Sequence, residues 1–193
     1  KFNLAHLSIS LHLFFAVVLT QIEIALLMSV TGNLYKKTAG TKMRKALFLL
    51  LLIILVQVIL GTAVRISVDD VSKVLGYQQR EAWLEPSHLS FIITRIFSLF
   101  VIAAVMYTMW YCRKVALLKM PLQKLAAIII MSMLTGIIMY YLEMPAIAQP
   151  IHLLLAVFAI SQIMFIILYT KNTSDLFKKK TAKTQNEVIS SGL

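Results

Sequence analysis

The sequence predicts an all-α polytopic membrane protein: five transmembrane helices in an antiparallel bundle, N-terminus outside and C-terminus cytoplasmic. Three observations carry that prediction. Of 193 residues, 60% are hydrophobic and 14% charged, with mean hydropathy +0.84; a soluble domain is roughly 45–50% apolar and ~25% charged. The apolar residues fall in five runs near the ~20 residues a helix needs to cross a ~30 Å hydrocarbon core. The basic residues gather in alternate connections between those runs. A net charge of +11 would point to nucleic acid on a soluble chain, but here it is a topology signal, and no nucleic-acid partner is expected. Continuous apolar runs exclude a barrel, and a single cysteine, Cys112, excludes a disulfide scaffold.

The predicted spans are residues 4–30, 46–65, 88–111, 125–142 and 150–170. The longest connection, 66–87, holds no soluble domain. The first connection carries Lys36, Lys37, Lys42, Arg44 and Lys45; the third carries Arg113, Lys114, Lys119 and Lys124. The tail adds Lys171, Lys178, Lys179, Lys180 and Lys183, so 14 of the 19 basic residues lie on one side. Positive residues mark the cytoplasmic side, which sets the orientation. Three parts follow: 1–45, the last helix of a preceding unit with its cytoplasmic loop; 46–170, a four-helix transmembrane unit; and 171–193, a solvated lysine-rich tail.

Ionisable groups inside a bilayer are costly and face a bundle interior or a functional cavity. All four histidines fall towards the outer ends of helices: His6 and His12 in the first, His88 opening the third, and His152 after Pro150 in the fifth. Arg65 closes the second helix on that side, and Arg95 lies about two turns into the third. A site on the outer side is implied. Imidazole in a low-dielectric bundle serves as an axial ligand to haem iron or another transition metal, and arginines suit haem propionates. Each histidine has a plainer reading as an interfacial residue bonded to backbone or headgroup. His6 and His12 point ~120° apart, so they cannot both face one cavity; His88 and Arg95 share a face, with His88 ~10 Å nearer the outside. Gly61 and Gly136 leave room for close approach of a helix or cofactor. A faint repeat relates His6-Leu7 leading to Gln21 with His152-Leu153 leading to Gln162.

Four segments resemble the heme A synthase family, which oxidises a ring methyl of heme O to a formyl group. They are Gln57-Val58-Ile59-Leu60-Gly61-Thr62-Ala63-Val64-Arg65 followed by Asp69, Leu134-Thr135-Gly136-Ile137, Pro150-Ile151-His152-Leu153-Leu154-Leu155-Ala156, and Leu4-Ala5-His6-Leu7. The resemblance runs from the first residues to about Thr170 and implies that the five spans are helices four to eight of eight. It also implies an oxidoreductase in a bacterial cytoplasmic (inner) membrane, acting in heme A biosynthesis for terminal oxidases. Haem b is then the iron cofactor and heme O the substrate. His152 ligates haem b, Arg65 and Arg95 hold its propionates, and His6 belongs to the substrate haem site, so His6 and His152 serve different haems. Where the family's sixth helix carries His-Arg, this chain reads Thr94-Arg95. Thr94 and His88 are the weaker site candidates: a threonine hydroxyl is a poor iron ligand, and His88 is ~120° out of phase. The family's first three helices, with a partner ligand and a catalytic glutamate, have no counterpart in this sequence, which reads as the C-terminal part of a longer chain. Implied partners are the lipid bilayer, heme O, heme O synthase or a terminal oxidase, and a second copy of the chain. The alternative is a non-catalytic haem b-binding, electron-transfer or assembly module.

Overall fold

A computed structural model describes residues 4–31, 37–39, 41–76, 80–83 and 88–172. Five helices dominate it: α1 (Leu4–Thr31), α2 (Thr41–Leu75), α3 (His88–Tyr111), α4 (Ala116–Tyr141) and α5 (Ala148–Tyr169). Helices α2 to α5 are each long and apolar enough to cross a membrane; in α1 the described apolar stretch is Phe14–Leu27. The lysine-rich tail beyond Asn172 lies outside the described residues.

Helix α2 packs against α3 and α5, and α4 packs against the same two, so the four helices form a closed ring. Helix α1 lies outside that ring against α5, where Gln21 Nε2 donates to Ser161 Oγ at 3.4 Å. The two helices of the faint repeat therefore touch each other.

Two helices exceed their predicted spans by more than a full turn. Helix α2 continues ten residues past Arg65 because helix signals, not membrane thickness, end a helix. Val64, Val68, Val71 and Leu75 keep an apolar stripe at helical spacing. Arg65–Asp69 at 3.9 Å and Lys73–Asp70 at 3.8 Å pair on its polar side. Gly76, at φ +76°, then closes the helix in the left-handed conformation that glycine takes without strain. Helix α4 begins nine residues before Leu125. Its opening turns are amphipathic, with Leu118 and Leu122 buried while Lys119 and Lys124 stay exposed. Pro121 is accommodated within it, and its carbonyl accepts from Gln162 Nε2 of α5 at 3.1 Å.

One addition to the all-α expectation is a short parallel strand pair, β1 (Lys37–Ala39) with β2 (Thr170–Asn172). It ties the connection before α2 to the end of α5. Arg44 reinforces the tie by donating to the Thr170 carbonyl at 3.3 Å.

The buried apolar residues form two clusters. The larger includes Leu47, Leu50, Val101, Leu125, Ile129 and Ile163; the smaller is Val64, Val68, Trp83 and Met144. Between the two the ring is hollow.

Candidate functional site

The hollow is a cavity of about 650 Å³, within the ~300–1,000 Å³ typical of sites for small molecules and cofactors. Val101 and Ile129 of the large cluster form its floor. All four residues of the small cluster line its other end.

Two chain reversals pack at that end. Trp83, in a short 3₁₀ helix (Arg80–Trp83), donates from Nε1 to the Gly76 carbonyl at 3.1 Å and so folds back over the end of α2. After α4, Glu143 and Met144 both take positive φ, 54° and 58°. The Met144 amide donates to the Met139 carbonyl at 2.9 Å. This reversal turns Met144 inward against the cavity.

Four of the residues singled out from sequence meet there. Arg65 of α2, Thr94 and Arg95 of α3 and His152 of α5 all line the cavity. His152 sits in the second turn of α5, after a proline that a first helical turn tolerates. Its Nδ1 is 2.9 Å from Thr135 Oγ1 on α4. Thr94 belongs to α3, diagonally opposite α5 in the ring. Its hydroxyl donates to the Ser90 carbonyl at 2.8 Å, so its proton is occupied within its own helix. Arg65 and Arg95 bring two positive charges to one cavity, where Asp69 is the counter-charge in the lining. The Arg65–Asp69 contact is long and half-exposed, leaving the guanidinium able to take a better anionic partner.

The other histidines do not join this group in the same way. His12 is exposed on α1, away from the lining. His6 and His88 are placed by their backbones, in the first turn of α1 and at the start of α3, and their side chains lie outside the described residues.

Both glycines flagged for close approach line the cavity, for different reasons. A Cβ at Gly61 would meet no atom within 4 Å, so the missing side chain widens the cavity and relieves no helix contact. A Cβ at Gly136 would stand 3.5 Å from the His152 ring. Two further polar residues were not singled out in sequence as site residues. Thr135 holds His152. Gln57 of α2 lines the cavity beside Thr94, its Nε2 3.5 Å from the Thr94 carbonyl. Its buried Oε1 has no hydrogen-bond partner among the described residues. The signal that could have found Gln57 is that it is an uncharged polar residue deep in an apolar run.

These residues fit haem better than a bare metal ion. Among the described residues no three His, Cys, Asp or Glu side chains gather to hold a metal. A porphyrin supplies four ligands itself and asks the protein for an axial donor, charge partners for two carboxylates, and a dry slot. His152, the Arg65/Arg95 pair and the Gly61 hollow correspond to these in kind.

The fold and cavity define a multi-pass helical membrane protein with a mainly apolar chamber, carrying a few polar and charged side chains, inside a four-helix ring. Residues 1–164 match the COX15-CtaA family, described as cytochrome oxidase assembly protein. The chain belongs to that family, the heme A synthase family. No curated protein and no solved structure matches it.

Proposed function

We propose that the chain acts in heme A synthesis, with residues 46–170 holding a haem b in the α2–α5 cavity. The observation that carries this reading is His152 lining the same cavity as Arg65 and Arg95. His152 would be the axial ligand, and the arginines would hold the propionates. Their planar forks suit carboxylates and draw the acidic edge towards the Trp83 end. Trp83 and Met144 would cover the cavity and limit water. When bound, the haem supplies the redox chemistry; the protein binds, orients and insulates it. His6, on the helix outside the ring, would contribute to a separate site for heme O, the substrate whose methyl becomes a formyl group. The proposed setting is a bacterial cytoplasmic membrane, with the Arg65 end outside and the lysine-rich tail in the cytoplasm. Heme O synthase, a terminal oxidase or a second copy would be its partners.

A second reading, a non-catalytic haem-binding or electron-transfer module, is favoured by one observation. The lining contains a single histidine and no glutamate among the described residues.

One experiment separates the two. A longer chain that also carries the three preceding helices implied by the resemblance is expressed in membranes that accumulate heme O, and pigments are extracted and resolved by chromatography. Haem b is measured on the purified protein as its ferrous pyridine adduct. Haem b bound together with new heme A supports the synthase reading. Haem b bound without heme A moves the assignment to the module. A wild-type protein that retains no haem, or a His152→Ala variant that retains it fully, overturns the cavity assignment.

A further inference from the structure

Thr135 has one hydroxyl proton, and it is committed: Oγ1 donates to the Ser132 carbonyl at 2.8 Å. The same oxygen lies 2.9 Å from His152 Nδ1. With its proton on Ser132, the oxygen is left to accept, and the Nδ1 partner is then the one that carries a hydrogen. A neutral imidazole holds one N–H, which leaves Nε2 as an open lone pair. Thr135 is buried, and α4 and α5 pack closely along their lengths, so the relation is held by two helices. A Cβ at Gly136 would stand 3.5 Å from ring Cε1 and 3.9 Å from Nδ1, so the glycine leaves that edge of the ring uncrowded.

We infer that Thr135 is the positioning residue of this site: by accepting from Nδ1 it fixes His152 as the Nδ1–H tautomer and presents Nε2 to the cavity as an electron-pair donor. The tautomer follows from protein contacts alone, whereas its use by an iron rests on the haem reading above. A hydrogen-bonded Nδ1–H also makes Nε2 a more basic ligand, and loss of such a partner typically costs ~10–100-fold in metal affinity.

The test uses the full chain in lipid nanodiscs with ¹⁵N-labelled histidine rings, His152 being assigned by its loss in His152→Gln. In the haem-free wild type, the His152 signals should show a protonated Nδ1 and an unprotonated Nε2. Haem is then titrated into wild type, Thr135→Val and Thr135→Ser, and the ferrous iron–histidine stretch is read by resonance Raman. Thr135→Val should bind haem ~10–100-fold more weakly, with a lower stretching frequency. Thr135→Ser keeps the hydroxyl and should stay near wild type in both. A predominantly Nε2–H wild type overturns the inference even where no variant folds. So does a Thr135→Val protein that matches wild type in tautomer, affinity and stretch. A wild type with the Nδ1–H tautomer that takes up no haem keeps the Thr135 assignment and overturns the haem reading alone.

Discussion

Arg95 of α3 lies over the ring of Tyr140 of α4, its guanidinium carbon 4.6 Å from the ring centroid. Phe91, one turn earlier on α3, is 5.9 Å from the same guanidinium and stacks on Tyr140 at 5.0 Å. Stacking engages the guanidinium's face, while its in-plane N–H groups remain available to a carboxylate. The aromatic pair thus aims a cation beside the cavity and ties α3 to α4.

The first prediction follows from that division. Arg95→Lys keeps the charge but loses both the stack and the planar fork, so it should behave more like Arg95→Ala than like wild type. A hydrogen bond to a charged group contributes ~1.5–3 kcal/mol, so both variants should retain haem about 10- to 100-fold more weakly. Tyr140→Leu, which leaves the fork intact, should lose less. Haem titration on the purified variants checks this; unchanged affinity in Arg95→Ala would remove Arg95 from the site.

How much of this site could be read from sequence depended on the kind of signal each residue gives. Arg65 and Arg95 were legible because a charge in an apolar run is expensive and needs a reason. Helix α3 was legible at both ends, since residues 88–111 form one apolar run with a single formal charge, Arg95, and His88–Tyr111 is the helix found. The ends of α2 and α4 were not, because their extra turns are amphipathic and a hydropathy threshold stops at the first charges. Thr135 was invisible as a site residue for a different reason. Its role comes from contact with His152, 17 residues away on an antiparallel neighbour, and a lone threonine in an apolar helix reads as an ordinary hydroxyl bonded to its own backbone. The turn that brings Met144 over the cavity was equally hidden, since neither Glu143 nor Met144 is a residue that favours positive φ.

That turn gives the second prediction. An L-residue in the left-handed region costs roughly 1–2 kcal/mol per position, which glycine avoids in exchange for greater freedom when unfolded. The Glu143 side chain is exposed, so Glu143→Gly removes strain without emptying any packed space. It should stabilise the protein by up to about 1 kcal/mol, read as a shift in reversible unfolding in detergent. Met144→Gly relieves the same kind of strain but deletes a side chain buried against Val64, Val68 and Trp83. It should be destabilising by about 2 kcal/mol or more. If the two substitutions move stability equally, the strain argument is wrong.

Orientation is the third. With the Arg65 end outside, Lys73→Cys, exposed near the end of α2, should react with a membrane-impermeant maleimide on intact cells. Lys178→Cys should react only after lysis. The native Cys112 is buried, and burial pushes its thiol pKa up. Thiolate is the reactive form, so Cys112 should label slowly at neutral pH and faster only as the pH is raised. The opposite accessibility pattern for the two introduced cysteines would invert the topology and move the cavity to the cytoplasmic side.

The fourth prediction tests what faces His152. Thr94 is on the diagonal helix, its hydroxyl proton held by Ser90, and a neutral hydroxyl is a weak donor to iron. If His152 is the one strong axial ligand, wild-type protein loaded with haem b should be high-spin or carry a readily displaced sixth ligand. Added imidazole should then convert it to a low-spin spectrum. Thr94→His places an imidazole on the helix facing His152 and should give the low-spin form without additive. The Gly61 hollow leaves room for the larger ring on the neighbouring α2. Absorption spectra of the ferric and ferrous forms decide the matter. A low-spin wild type that His88→Ala converts to high-spin would make His88 the second ligand. A low-spin wild type that survives His88→Ala would assign the sixth position to another lining residue. Met133, Met139 and Met144 are the soft donors present in the cavity, and histidine–methionine ligation raises a haem's potential. Their single replacement by leucine, read in the same spectra, would show which methionine holds it.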